Sequence, residues 1–550
     1  MTDHTVSLCS IYAKETSGSK SPVNFPAGYV FRNGRNQAIR IPGDFEFQAD
    51  KVMMVKDGNR LILKPVNKEP SLYSRYWPRK TSQMNPVTQK IILGLCMAII
   101  LSGHHASAVE TKPNVLLIAI DDLNDWVGCL NGHPQTKTPN IDRLAKRGLL
   151  FTNAHCQAPI CNPSRASIMY GLRPSNSGIY DNTTRPWDVP ALQKHVTLPR
   201  HFAANGYRTL TTGKIYHASG MPKNDFHVVG PTPGQRLKQD SRIIPETPDG
   251  ARGLWDFGPQ TYDESEFQDH ADASWAISRL QQASPMPFFL TVGFYRPHVP
   301  LYAPGRFFDD LVEADIQLPP IKDNDRADVP PVVDQLTISR YSPSHDWFVK
   351  TRNFKKAVHA YLACIRFVDE QVGRLLDVLD ASPHAKNTII ILYSDHGFML
   401  GEKDHWAKQA LWERATRVPL IISAPGFSQG ESSARPVELL SIYPTLIDLC
   451  GLTENPQIDG ISLMPLIKNP RATWDRPALT THYQNNHSLR TGHFRYTRYH
   501  DGSEELYDHT ADPNEWTNLA NLPEHAELKK ELSVWFPKTN LPQATVPNNR

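Results

Sequence analysis

The amino-acid sequence predicts an α/β sandwich with a mostly parallel central sheet, followed by a smaller C-terminal α+β subdomain. Three observations carry this expectation. The short apolar runs at 115–120, 288–294, 388–393 and 418–422 are continuous and rich in β-branched residues, as strands covered on both faces must be. Between them, stretches such as 141–148 and 354–379 repeat their apolar residues with a helical period. Three of the runs end in polar clusters, Asp121-Asp122, Arg296-Pro297-His298 and Asp395-His396-Gly397. A parallel sheet gathers such clusters at its carboxyl edge, where α/β proteins bind ligands.

Taken in chain order, the first patterned segment is 29–66, where apolar alternation is broken by turn signals at Asn33-Gly34 and Asp57-Gly58. This β-rich segment resembles the swapped-hairpin antitoxins of the VapB/AbrB type, small DNA-binding modules. In that family the basic hairpin, here Arg32, Arg35 and Arg40, approaches DNA, so a nucleic-acid partner is implied through residues 29–66 alone. Next, Met84 precedes Lys90, an apolar run over 91–101 and the small triplet Ala106-Ser107-Ala108, the order of a secretory signal peptide over 84–108 cleaved after Ala108. The run falls short of the ~20 residues of a membrane-spanning helix, so no stable membrane insertion is expected. Leu95 stands where a lipoprotein signal before Cys96 needs a small residue. The expected product is exported, to the periplasm or the medium. A folded DNA-binding module ahead of an export signal would stay inside the cell. Residues 1–83 therefore read as a fused extension, or as sequence upstream of a functional start at Met84, the alternative being a natural bifunctional chain. Residues 112–461 form the expected catalytic domain and 462–550 a C-terminal subdomain with strands at 494–500 and 505–507. Within the latter, 482–490 reads as a surface loop, the alternative being a lining of the outer cleft.

Composition narrows the function by exclusion. A chain of 550 residues that is 40% hydrophobic can bury a large core, and a formal net charge of +3 gives no reason to invoke nucleic acid or an anionic membrane as the main partner. Seven cysteines without a CxxC pair make neither a disulfide scaffold nor a zinc ribbon, which leaves individual cysteines free for chemistry.

The motifs supply that chemistry. Cys161-Asn162-Pro163-Ser164-Arg165 precedes a helix-like stretch, and a helix starting there turns backbone N–H groups toward an anion. Asp121, Asp122 and Asp395 stand at strand ends, and carboxylates are ligands for a hard cation, calcium before magnesium. The Gly213-Lys214-Ile215-Tyr216-His217 segment lacks the glycines and the Ser/Thr of a phosphate loop, so a nucleotide site is not indicated. Its lysine and histidine suit anion binding and proton transfer.

The C-x-P-S-R stretch resembles the recognition signature of type I sulfatases, in which a formylglycine-generating enzyme oxidises the cysteine to an aldehyde. The resemblance continues in order through most of 112–530 and includes the tail around Glu505 to Leu519, read as packing and turn chemistry. It implies an alkaline-phosphatase-like fold, one bound Ca2+ and hydrolysis of sulfate esters. Its closest branch, by the Gly213–His217, Tyr295–Pro300 and Ser394–Gly397 motifs, is similar to iduronate-2-sulfatases, which implies a sulfated carbohydrate substrate. Carried over by position, Asp121, Asp122, Cys161, Asp395 and His396 would hold the metal, although imidazole is a poor calcium ligand. Lys214 would hold the aldehyde hydrate and a sulfuryl oxygen, and His217 would take a proton during sulfate release. His298 would protonate the departing alcohol with Lys408 beside it, and Arg165 would orient the hydrate. An aldehyde hydrate offers two hydroxyls on one carbon, one to attack sulfur and one to expel sulfate, which a serine cannot do. The rival within this fold is a phosphate or phosphonate ester hydrolase, whose usual Ser or Thr nucleophile and two zinc ions with extra histidines are not matched here. A rival of another class, a DNA-binding antitoxin, rests on 29–66 alone.

Overall fold

The computed structural model describes residues 112–546 except 218–219, 232–241, 338–340 and 428, together with the backbone of four short strands between 30 and 65. The chain divides into two compact units, Met1–Ala108 and Val109–Arg550. In the first, Val30–Asn33 pairs antiparallel with Asn36–Ile39, and Val52–Asp57 with Arg60–Pro65. Asn33 faces Asn36 and Asp57 faces Arg60, so both hairpins reverse where the sequence placed turns. The segment 84–108, read from sequence as a signal peptide, and the side chains of Arg32, Arg35 and Arg40 lie outside the described residues.

The second unit is built on an eight-stranded sheet. Its strands are β1 (Asn114–Ile120), β2 (Leu149–Phe151), β3 (Arg208–Gly213), β4 (Val228–Val229), β5 (Phe288–Phe294), β6 (Thr388–Ser394), β7 (Leu420–Ser423) and β8 (Glu431–Ser433). Their spatial order is β8-β2-β7-β6-β1-β5-β3-β4. The central strands β6, β1, β5 and β3 run parallel, while β7 is antiparallel to both neighbours, β6 and β2. The strands at 115–120, 288–294 and 388–393 thus form where expected. The run 418–422 does not stay whole. Arg417–Val418 pairs with Ala154–His155, and β7 begins only after Pro419, which has no N–H for a ladder but whose carbonyl accepts the Ser394 N–H at 3.3 Å.

Alternation along β1 divides the core. Leu116, Ile118 and Ile120 face one side, where α1 (Pro139–Arg147), α3 (Gln268–Leu280) and α4 (Phe354–Asp380) bury Ile141, Ala276 and Leu375. Val115, Leu117 and Ala119 face the other, against α2 (Cys161–Tyr170) through Ala166, Ile168 and Met169. All ten residues of α2 are buried, so the helix has no solvent face. Among the described residues, no helix is long and apolar enough to cross a membrane.

A four-stranded antiparallel sheet, β9 (Ala478–Thr481), β10 (His487–Arg490), β11 (Phe494–Arg498) and β12 (Glu504–Asp508), follows near the C-terminus. It corrects the surface-loop reading of 482–490. His482, Asn486 and all of β10 are buried. Polar side chains pair inside: the Arg495 guanidinium donates to Ser488 Oγ at 3.0 Å, and His487 Nδ1 meets Thr481 Oγ1 at 3.0 Å.

Candidate active site

The carboxyl ends of β1, β6, β5 and β3 converge on the first residue of α2. Cys161 is 1% exposed. The Lys408 Nζ stands 3.2 Å from its sulfur, His396 Nε2 3.3 Å and Lys214 Nζ 3.7 Å, and His217 lies near enough to favour negative charge there. Burial alone would raise this thiol; Lys214, Lys408 and His396 outweigh it and hold the group well below its usual range. The position is therefore prepared for negative charge. Helix geometry adds to this: Ile160 gives α2 no side-chain cap, and Asn182 Oδ1 accepts the Asn162 N–H at 3.0 Å, fixing the first turn.

Three buried carboxylates surround the same point. The Arg165 guanidinium clamps two of them, donating from Nε to Asp395 at 2.7 Å and from Nη2 to Asp121 at 3.2 Å. Its Nη1 reaches the Lys214 carbonyl, tying α2 to the end of β3. Lys214 pairs with Asp121, and Lys408 with Asp122 at 2.6 Å. Asp122 has φ +60°, a left-handed backbone that a non-glycine residue adopts only when its surroundings impose it. Here Tyr361 of α4 donates its hydroxyl to the Asp122 carbonyl at 2.7 Å, and the Leu123 N–H donates to Ser394 Oγ at 3.0 Å. Lys214 reaches the cluster because β3 and β5 meet without side chains: Gly213 has φ +71°, and a Cβ on it would lie 1.9 Å from the Gly293 carbonyl oxygen.

The residues fit a divalent cation. Ligand atoms of Asp121, Asp395, His396 and residue 161 lie within 4.8 Å of one another, as do those of Asp121, Asp122, residue 161 and His298. Asp122 Oδ2 is buried without a hydrogen-bond partner, a cost that a bound cation would remove. Burial pushes Asp395 up to about 7, which the charge of a cation would reverse. A further His/carboxylate group, Glu413, His509 and Glu515, is held instead by Arg490 and Arg495.

His298 closes the remaining side. Its Nδ1 lies 2.5 Å from the Val299 carbonyl, so the proton sits on that nitrogen and Nε2 is left for the cluster. All ten side chains singled out from sequence thus meet at one point. Sequence reasoning missed Tyr361, Asn182 and Asp269, which act on backbone groups, and Asp272, which holds the Thr212 hydroxyl; none belongs to a motif.

Residues 113–452 match the sulfatase family model, and 401–540 match the model of the N-sulphoglucosamine sulphohydrolase C-terminal region. The chain belongs to the sulfatase family. It is 41% identical to a sulfatase of Formosa agariphila, over 82% of this chain and 92% of that protein. It is 32% identical to the iduronate 2-sulfatase of Homo sapiens, over 67% of this chain and 74% of that protein. In fold, this sulfatase is also similar to a phosphonate monoester hydrolase of Agrobacterium radiobacter, with a TM-score of 0.64 at 24% identity, covering 77% and 94% of the two chains. The chain is thus a sulfuric ester hydrolase, and its buried Asp/Cys/His cluster is a candidate metal site.

Proposed function

We propose that this sulfatase removes an O-sulfate from a sulfated sugar or polysaccharide, using a formylglycine made from Cys161 beside one calcium ion. The supporting observation is the convergence of two lysines and two histidines on the buried residue 161 at the start of a buried helix, next to three carboxylates. Cys161 Sγ stands in for the hydrate oxygens. The aldehyde, once hydrated, would supply paired hydroxyls for attack on sulfur and for later release of sulfate. Asp121, Asp122, Asp395 and His396 would hold the calcium, which would supply positive charge to the sulfuryl oxygens. Lys214 and Lys408 neutralise the same oxygens from the protein side, in a site dry enough for each contact to count. His217 accepts the hydroxyl proton when sulfate leaves, and His298, carrying a second proton on Nε2 at that step while Nδ1–H stays on the Val299 carbonyl, donates the proton that the departing alcohol needs. Arg165 keeps Asp121 and Asp395 aimed inward, and its charge opposes the burial that would otherwise neutralise them.

The sugar reading draws on the human iduronate 2-sulfatase, whose name states a sulfated sugar acid, and on the motif branch. Export over 84–108, with the formylglycine-generating enzyme acting before folding buries residue 161, completes the reading.

The tests are direct. A peptide covering 157–165 is expected to weigh about 18 Da less than its thiol form, one sulfur and two hydrogens exchanged for an oxygen. Cys161→Ser is expected to keep the fold and lose turnover by at least ~1,000-fold. A panel of sulfated oligosaccharides, simple alkyl sulfates and a phosphonate monoester decides the substrate. Preference for the phosphonate would overturn the reading, as would full activity with residue 161 still a thiol.

A further inference from the structure

Helix α3 contributes no side chain to the cluster, yet two of its carboxylates are buried against the site's framework. Asp269 and Asp272 lie three residues apart, on one face of α3, and are 2% and 1% exposed. Asp269 accepts the backbone N–H groups of Tyr295 at 2.6 Å and Arg296 at 2.9 Å, the first two residues after β5. Asp272 accepts the Thr212 hydroxyl at 2.5 Å and the Gln268 amide at 3.0 Å, and a Cβ on Gly213 would lie 3.1 Å from its Oδ2. One helix turn therefore grips the carboxyl ends of two adjacent strands, the one leading to His298 and the one leading to Lys214.

The chain beyond Asp269 is short and fully tied. The His298 N–H donates to the Tyr295 carbonyl at 2.9 Å, closing a turn, and the Arg296 guanidinium donates to the His298 carbonyl at 3.0 Å. The Tyr295 ring stands between the two functional groups, 4.9 Å from the His298 ring and 4.8 Å from Lys214 Nζ. Moving the Tyr295 backbone moves the imidazole. Burying two carboxylates where neither meets the reacting atoms is costly, and serine or asparagine would suffice to cap a single N–H. A carboxylate alone offers two acceptor oxygens to two adjacent N–H groups.

We infer that Asp269 is a positioning residue for the leaving-group acid His298, and that Asp272 does the same for Lys214, so that α3 sets the spacing between the two sides of the reaction. The inference rests on the proposed roles of His298 and Lys214. Asp269→Asn keeps one acceptor and turns an NH2 against a backbone N–H. Its effect is read on two sulfate esters: an alkyl or sugar sulfate, whose alcohol must be protonated to leave, and 4-nitrophenyl sulfate, whose phenolate leaves unprotonated.

Asp269→Asn is expected to lower kcat on the alkyl ester by about 30- to 100-fold and on the aryl ester by less than about 3-fold, with KM little changed on either. Asp272→Asn is expected to lower kcat on both esters by the same factor at an unchanged melting temperature, and an equal loss accompanied by a lower melting temperature, or no loss, overturns the Asp272 half of the inference. A merely structural role would lower both esters together in the Asp269 variant, and that result, or no loss on either, overturns the inference. The aryl rate also reports folding within the same preparation. Asp269→Glu, which keeps both oxygens one methylene further out, is expected to show the same ester selectivity at smaller size, and equal losses there count against the inference if Asp269→Asn does not fold. If the parent enzyme carries the aldehyde and cleaves neither ester, the functional reading fails instead.

Discussion

Single side chains in this site are held by their charge partners. Lys408 spans Asp122 and residue 161, so replacing it uncovers a buried carboxylate as well as removing a cation from the sulfuryl position. Lys408→Met is expected to lower kcat by about 100- to 1,000-fold with a smaller change in KM, measured by steady-state turnover. Asp122 is also the clearest pointer to a cation, since its Oδ2 is buried and unpartnered. Calcium added to chelator-treated enzyme is expected to raise the melting temperature, with about 2.7 kcal/mol of stabilisation at 100 times Kd, and Asp122→Asn is expected to abolish most of that rise. Restoration by zinc and not by calcium would contradict the metal assignment. At this scale the sequence was most informative where motif residues carry charge: Lys214, His298 and Lys408 all reach Cys161 or its carboxylates. Tyr361 was hidden because a tyrosine on an amphipathic helix normally packs, and nothing in its neighbours announces that its hydroxyl fixes the Asp122 backbone.

Elements are held to one another by the same device of remote polar groups meeting backbone. Helix α1 begins at Pro139 after Thr138, whose side chain makes no cap hydrogen bond. The missing acceptor comes from α4: Asp369 accepts the N–H groups of Asn140 at 3.1 Å and Ile141 at 2.8 Å, and the Asn140 amide at 2.9 Å. Asp369→Ala is expected to destabilise the protein by about 1–2 kcal/mol, seen as a lower denaturation midpoint with unchanged slope. Unchanged stability would mean that the α1 N-terminus finds water or another acceptor. Such pairs explain what the periodic pattern revealed and what it hid. The buried strands β1, β5 and β6 were legible because both faces are apolar. The buried strand β10 was not, because His487, Ser488 and Arg490 are polar: Ser488 is paired across the sheet by Arg495, and Arg490 by Glu413, far along the chain, at 3.1 Å.

The whole second unit is joined by charge that water does not reach. Arg495 on β11 is 1% exposed and donates to Glu515 at 2.6 Å, to the Leu411 carbonyl at 3.0 Å, to Thr416 at 2.9 Å and to Glu413. Glu413 and Thr416 lie just ahead of β7, and the Thr481 N–H at the end of β9 donates to the Gln157 carbonyl at 2.8 Å, four residues before Cys161. The C-terminal sheet thus completes the wall behind α2. Removing one member strands its partners in a low-dielectric interior, a loss of about 3–5 kcal/mol for a buried network, whereas an apolar side chain of similar length leaves the same carboxylates equally unpaired. Arg495→Ala and Arg495→Met in the full chain are therefore both expected to destabilise strongly, and hydrogen exchange is expected to show β1, β6, β10 and β11 losing protection together. Selective loss at β10 and β11, with the central strands still protected, would mean that the C-terminal sheet opens independently and that the interior behind Cys161 tolerates its departure.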